Sequence, residues 1–131
     1  MDPETKMRFD ARAHIIKALA HPTRLFIVRA LSCCEYCVCA LTEMIGVDVS
    51  TVSKHLTVLK NAGIVRDEKR GLQVYYRLRC GCIPDFLDCL ERLWAENARE
   101  QSSLLSADDT ERPAAATADP NKASVSAKQG R

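Results

Sequence analysis

The sequence contains no hydrophobic run long enough to cross a membrane, since none approaches the roughly 18 apolar residues that a span requires. The first residues, Met1 to Lys6, are charged and lead into no apolar segment of the kind that marks a secretory signal. No P-loop, Ser-His-Asp set or catalytic pair of carboxylates occurs, so the sequence predicts no enzyme active site. We therefore expect a cytoplasmic protein without catalytic activity, in a compartment where thiols stay reduced.

Cysteine, by contrast, is abundant. Seven cysteines occur in 131 residues, and four of them lie in the segment Cys33-Cys34-Glu35-Tyr36-Cys37-Val38-Cys39. In a reducing compartment such a cluster indicates metal or redox chemistry rather than a disulfide framework. Thiolates select soft ions, and no histidine lies near the cluster, so harder ions are poor candidates.

Basic residues are concentrated in the middle of the chain. From Ser50 to Arg79 seven basic residues occur with only two acidic ones, whereas from Cys80 to Leu105 five acidic residues outnumber two basic ones. A segment with this excess of basic residues is expected of a surface that contacts phosphates.

Hydrophobic periodicity and turn residues predict a mainly α fold of about five helices and a two-stranded β-wing. The first helix is expected from about Arg8 to Ala20, the second from Pro22, and the third after the cysteines, ending at Gly46. Ser50 is predicted to be the N-cap of a fourth, reading helix whose buried stripe is Val52, Leu56 and Leu59. The wing is expected to comprise a strand at 64–67, a turn at Lys69-Arg70-Gly71 and a strand at 74–78.

A last helix is predicted to begin at Pro84. Its apolar stripe is wider than a chain of this size is expected to cover, so we predict a dimerisation face there. The stripe consists of Phe86, Leu87, Leu90, Leu93 and Trp94. We expect residues 1–105 to form one DNA-binding and dimerisation domain and residues 106–131, which have almost no large apolar side chain, to form a disordered tail.

The order of these elements resembles that of the winged helix-turn-helix repressors of the ArsR/SmtB family. The segments that carry the resemblance are Leu19–Leu25, Cys37–Leu41, Ser50–Leu59, Ala62–Val65 and Gly71–Leu78. The resemblance implies a homodimeric repressor that leaves its operator when a metal or metalloid binds. Members of this type read a major groove with the fourth helix and track the backbone with the wing, which implies DNA contacts at Ser50, Thr51, Ser53, Lys54, His55, Lys69 and Arg70.

Within the resemblance, Cys37-Val38-Cys39 matches the box that supplies thiolates to arsenite, antimonite, cadmium or lead. Two departures stand out: Ala40-Leu41-Thr42 replaces the usual Asp-Leu-Cys, and Cys33-Cys34 is an additional pair. The last helix also lacks the His-containing pairs of zinc sensors, because no histidine occurs from Pro84 to Arg99.

Helical geometry limits which thiolates can share an ion. Cys37 and Cys39 lie about 200° apart around an ideal helix, so they converge only if the first turn is frayed or non-helical. We predict Cys37 and Cys39 as ligands, with Cys34 or Cys33 as the third thiolate that As(III) or Sb(III) requires. Cd(II), Pb(II) or Zn(II) could instead use four thiolates.

Three further interpretations stay open. Cys80 and Cys82 flank Gly81 and could form a second metal set, a redox pair or a structural feature, whereas Cys89 is predicted to lie in the core. A thiol redox or persulfide switch of the same fold is the rival sensor hypothesis. A cysteine-rich metal-buffering protein is the alternative outside gene regulation, and the basic reading helix and wing argue against it.

Overall fold

The structure, a computed structural model, describes residues 1–111, and these form five helices and a three-stranded antiparallel sheet. The elements are α1 Pro3–Leu19, α2 Pro22–Leu31, β1 Tyr36–Cys37, α3 Val38–Ile45, α4 Val49–Asn61, β2 Val65–Arg70, β3 Gln73–Leu78 and α5 Ile83–Glu111. The predicted mainly α, winged helix-turn-helix architecture is confirmed. None of the described helices is both long enough and apolar enough to span a membrane.

The hydrophobic core lies where α2, α3 and α4 meet the sheet. The predicted stripe of α4 is confirmed, since Val52, Leu56 and Leu59 are fully buried. They belong to one cluster with Ile27 of α2 and Leu41 of α3, which are equally inaccessible. Gly46 ends α3 in the left-handed conformation (φ 78°) that its position after the helix predicts.

Two helices begin earlier than predicted. α1 starts at Pro3 rather than near Arg8, because Asp2 accepts a hydrogen bond from the Thr5 N–H at 2.9 Å and the proline suits a first turn. In α4 the N-cap is Asp48, not Ser50: a carboxylate oxygen of Asp48 accepts the Thr51 N–H at 3.0 Å. Ser50 therefore lies inside the first turn of α4.

The wing differs from the prediction in two respects. Lys69 and Arg70 belong to β2 rather than to a turn, because β2 and β3 pair from Val65 opposite Leu78 as far as Arg70 opposite Gln73. The chain reverses instead at Gly71, whose φ of 63° suits a residue without a side chain. A third strand, β1, also pairs with β3, and its two residues are too few to show a strand periodicity.

The first turns of α5 pack on α2. Leu87 is buried, and Arg29 forms ion pairs with Asp88 at 3.0 Å and with Glu91 at 2.8 Å. Cys89, predicted to be a core residue, is exposed because it lies two residues from Leu87 and so on the far side of the helix.

The helix α5 also extends past the predicted domain end. It continues to Glu111, so residues 106–111, expected in the disordered tail, are helical. The sequence has no proline or glycine between Pro84 and Pro113 to stop the helix earlier. The rest of the predicted tail, residues 112–131, lies outside the described residues.

Candidate DNA interface and thiolate site

The solvent side of α4 is a polar face. Ser50, Ser53, Lys54 and Thr57 follow one another at helical spacing and are all exposed, whereas the buried stripe lies on the other side. Within the part of the chain that the structure describes, Lys54 has no ion-pair partner. Sequence reasoning missed Thr57, although its spacing of three and four residues from Lys54 and Ser53 would have identified it.

The first turn of α4 is held by its cap. The hydroxyl groups of Ser50 and Thr51 both donate to the Asp48 carboxylate, the latter at 2.7 Å. These hydrogen bonds, Ser50 first, hold the pKa of Asp48 well below its usual range. Two of the predicted DNA contacts are therefore engaged in shaping the start of the reading helix.

His55 faces the protein. It is half-buried, and its ring centroid lies 4.4 Å from that of His21, the N-cap residue of α2. Partial burial, followed by the charges of His21 and Arg24, lowers the pKa of His55. This placement favours a packing role over the predicted base contact.

The two predicted wing cations have different surroundings. Lys69 is exposed and has no ion-pair partner among the described residues. Arg70 donates to Glu68 at 2.9 Å and to Glu35 at 2.8 Å, and its guanidinium lies 4.7 Å from the centre of the Tyr75 ring. Both carboxylates, Glu68 first, raise the pKa of Arg70.

The cysteine segment lies partly outside the helix. Cys33, Cys34 and Cys39 are exposed, and Cys37 is half-buried. Cys37 has extended backbone angles and caps α3, its Sγ accepting the Ala40 N–H at 3.4 Å, whereas Cys39 is in the first turn. The condition predicted for convergence, a non-helical Cys37, is therefore met.

The four thiols do not form a finished site. Among residues 1–107, no group of three or more His, Cys, Asp or Glu side chains is arranged to hold a metal ion. The donor chemistry suits a soft ion, and three exposed thiols leave the segment accessible. Tyr36 is hydrogen-bonded to Cys34, which raises the pKa of the Tyr36 phenol.

The cysteine segment is attached to the wing. Cys37 pairs with Tyr75 and Tyr36 with Tyr76 across the β1–β3 ladder, and Glu35 binds Arg70 of β2. Sequence reasoning missed this attachment, because neither a two-residue strand nor a distant ion pair leaves a local pattern.

The second dithiol lies at the junction between β3 and α5. Cys80 and Cys82 are both exposed, and the Cys82 N–H donates to the Cys80 Sγ at 3.5 Å. A hydrogen bond between the thiols, together with this backbone bond, lowers the pKa of Cys80, and the thiol–thiol bond raises that of Cys82.

A reading helix with one face buried in the core and the other exposed, followed by a β-wing with exposed cations, defines a DNA-binding winged helix-turn-helix domain. Residues 21–67 match the model of the arsR family of bacterial regulatory proteins. The chain is also 31% identical over 87 residues to an HTH-type transcriptional regulator of Methanocaldococcus jannaschii, covering 66% of this chain and 98% of that protein. The chain belongs to the arsR family.

Other similar proteins extend the comparison. The repressor SmtB of Mycobacterium tuberculosis is 40% identical over 76 residues, 58% of this chain and 56% of that protein. The arsenic resistance regulator ArsR1 of Pseudomonas putida is 38% identical over 80 residues, 58% of this chain and 59% of that protein. The chain thus spans little more than half the length of these two relatives.

One solved structure is that of the homodimeric winged helix-turn-helix DNA-binding domain of Mb0332 from Mycobacterium bovis. It is 26% identical, with a TM-score of 0.68, and the match covers 76% of this chain and 93% of that one.

Proposed function

We propose that the protein is a transcriptional repressor that binds operator DNA as a homodimer and is released when trivalent arsenic or antimony binds its cysteine segment. The observation that carries this proposal is the attachment of that segment to the wing, through the pairing of Cys37 with Tyr75 and the Glu35–Arg70 ion pair. The cysteine segment, which would bind the inducer, is thereby joined directly to the wing, which would contact DNA.

The DNA side of the proposal rests on the exposed face of α4 and on the wing. Ser53, Lys54 and Thr57 are exposed, and the N-terminal end of a reading helix is the end that meets base edges. Lys54 on α4 and Lys69 on β2 are exposed and have no ion-pair partner among residues 1–107, so they supply positive charge for phosphates. Arg70 contributes less directly, because two carboxylates already engage it.

The ligand side rests on thiolate chemistry. Cys37 and Cys39, with Cys34 or Cys33, would give As(III) or Sb(III) its three soft ligands. The relative named for arsenic resistance supports this choice, and Cd(II), Pb(II) or Zn(II) bound by four thiolates is the alternative.

Release follows from the shared position of Cys37. Drawing Cys37 toward the other thiolates would displace β1, and the β1–β3 ladder would carry the displacement into the wing. If the ion binds the free dimer more tightly than the DNA-bound dimer, DNA must weaken ion binding by the same factor.

The homodimer is proposed from exposed apolar residues and from the homodimeric Mb0332 domain. On α5, Phe86 and Leu90 are partly exposed, and further along the helix Leu93 is 54% and Trp94 74% exposed. On α1, Phe9 and Ile16 are more than half exposed. We propose that these helices pair between copies, within a domain of residues 1–105.

A mobility-shift titration on the protein's own promoter tests the proposal. Arsenite and antimonite should release the DNA at the lowest concentrations, ahead of cadmium, lead, zinc and peroxide. Release by peroxide alone, with none by the ions, would replace the metalloid sensor with the redox switch. If no sequence-specific complex forms, the regulator is refuted and the metal buffer is favoured.

A further inference from the structure

We propose that Cys80 and Cys82 form a thiol–disulfide exchange site, in which Cys80 is the attacking thiolate and Cys82 the resolving thiol. The site lies apart in sequence from the proposed metalloid ligands, and its ligand class is a low-molecular-weight disulfide. It adds a redox reaction to a protein whose proposed function requires only ion binding.

The first support is the placement of the two cysteines. Leu78 ends β3 and Ile83 begins α5, so the pair occupies the short connection between them. The Cys82 carbonyl accepts the Phe86 N–H at 3.2 Å, which anchors Cys82 at the first turn of α5. Both thiols are exposed, so a small disulfide can reach either of them.

The second support is the asymmetry of the pair. The Cys80 Sγ accepts the Cys82 backbone N–H at 3.5 Å, and hydrogen bonding to the side chain and backbone of Cys82 lowers the pKa of Cys80. Donors aimed at a sulfur stabilise its thiolate, and the thiolate is the form that attacks a disulfide. No other atom lies within 4 Å of the position that a Cβ at Gly81 would occupy, so the turn between the two cysteines is open to solvent.

The reaction balances with one disulfide, RSSR, as oxidant. The Cys80 thiolate attacks one sulfur of RSSR, whose S–S bond breaks and releases RS⁻. Cys82 then loses its proton to solvent or to RS⁻ and attacks the Cys80 sulfur, expelling the second RS⁻. Two electrons pass from the cysteine pair to RSSR, which leaves as two thiol equivalents.

The test uses the reduced full-length chain, with glutathione disulfide as the probe and alkylation of the remaining thiols at timed intervals. The tryptic peptide Cys80–Arg92 contains Cys80, Cys82 and Cys89, so its mass and fragmentation identify the linkage. We expect this peptide to lose two hydrogens, with alkylation at Cys89 alone.

Single variants assign the roles. In Cys82→Ser, glutathione should stay attached to Cys80 as a mixed disulfide, because no resolving thiol is present. In Cys80→Ser, the peptide should lose both the internal disulfide and the rapid mixed disulfide. Cys89→Ser is the matched control, an exposed thiol on the same peptide, and should form the internal disulfide at the wild-type rate.

Three results would overturn the site. The first is a disulfide that includes Cys89. The second is a Cys80–Arg92 peptide that stays fully reduced while Cys33 or Cys34 is oxidised. The third is equal formation of the mixed disulfide in the Cys80→Ser and Cys82→Ser variants. Because metalloid-induced release from DNA is a separate readout, failure of this site and failure of the proposed repressor are distinguishable.

Discussion

Arg70 of the wing forms an ion pair with Glu35 of the cysteine segment, with Nη2 2.8 Å from Oε2. Both side chains are partly solvated, at 43% and 35% exposure, so the pair adds little to stability. Its consequence is positional, because it ties a cation of the proposed DNA surface to a residue close to Cys37.

The substitution Glu35→Gln tests this tie. It removes the charge that joins the cysteine segment to Arg70 but leaves Glu68 in place. We expect the free dimer to bind metalloid within about twofold of the wild-type affinity. The ratio of operator affinities without and with arsenite should fall about threefold or more, a change within the usual range of coupling energies. Glu68→Gln, which removes the other carboxylate, is the matched control and should retain the full ratio. Equal ratios in the two variants would contradict the coupling role.

Lys54→Ala and Lys69→Ala should each weaken operator binding and reduce the slope of log affinity against log salt by about one unit. Each removes an exposed cation with no ion-pair partner among the described residues. Arg70→Ala should have a smaller effect on the slope, since its charge is already shared with two carboxylates. Lys6→Ala, which removes a cation paired with Asp10 on α1, is the control. An unchanged slope for both lysine variants would refute the docking surface.

Cys37→Ser and Cys39→Ser should bind the operator normally but no longer release it with arsenite or antimonite, because a hydroxyl does not replace a soft thiolate. Of Cys33→Ser and Cys34→Ser, one should become uninducible and the other should stay near wild type. Release can be followed by fluorescence anisotropy of labelled operator. Normal induction of Cys37→Ser would remove the proposed site, and loss of induction only in Cys80→Ser or Cys82→Ser would move the third thiolate to the wing exit.

Dimerisation should tolerate truncation after Ser106 but not a charge in the apolar stripe. Leu90→Asp places a carboxylate at a partly exposed apolar position of α5, and we expect sedimentation to show a monomer with operator affinity reduced at least tenfold. The truncated chain should keep both its size and its affinity. A monomeric truncated chain, or a dimeric Leu90→Asp variant, would count against the proposed interface.

Protonation of His55 should destabilise the fold in mild acid. Its pKa in the folded state is lowered from 6.5 by burial and then by His21 and Arg24, so below that value the unfolded chain takes up the proton first. The stability contribution is thus complete above about pH 6.5 and decreases as the pH falls toward the folded pKa. His55→Gln should flatten the dependence of Tm on pH in this range, measured by circular dichroism. The exposed-histidine variant His14→Gln should keep the wild-type slope, and equal slopes in both variants would exclude His55 as the cause.

Local patterns in the sequence determined much of the fold. The burial of Val52, Leu56 and Leu59, the helix end at Gly46 and the strand at residues 74–78 were all predicted, because helical and strand periodicity and capping act over a few residues. The N-cap of α4 was predicted at Ser50 but lies at Asp48. Both residue types are good N-caps, and the backbone conformation between them decides which one begins the helix.

The tertiary structure alone decided how the candidate sites are connected. Glu35 and Arg70 are 35 residues apart, and β1 contributes only two residues to the sheet, so neither contact leaves a periodic trace in the sequence. The same holds for His55, whose contact with His21 depends on how α2 and α4 pack. Residue types and spacing identified the thiols and the reading helix, whereas the joining of Cys37 to the wing required strand register, which only the folded chain defines.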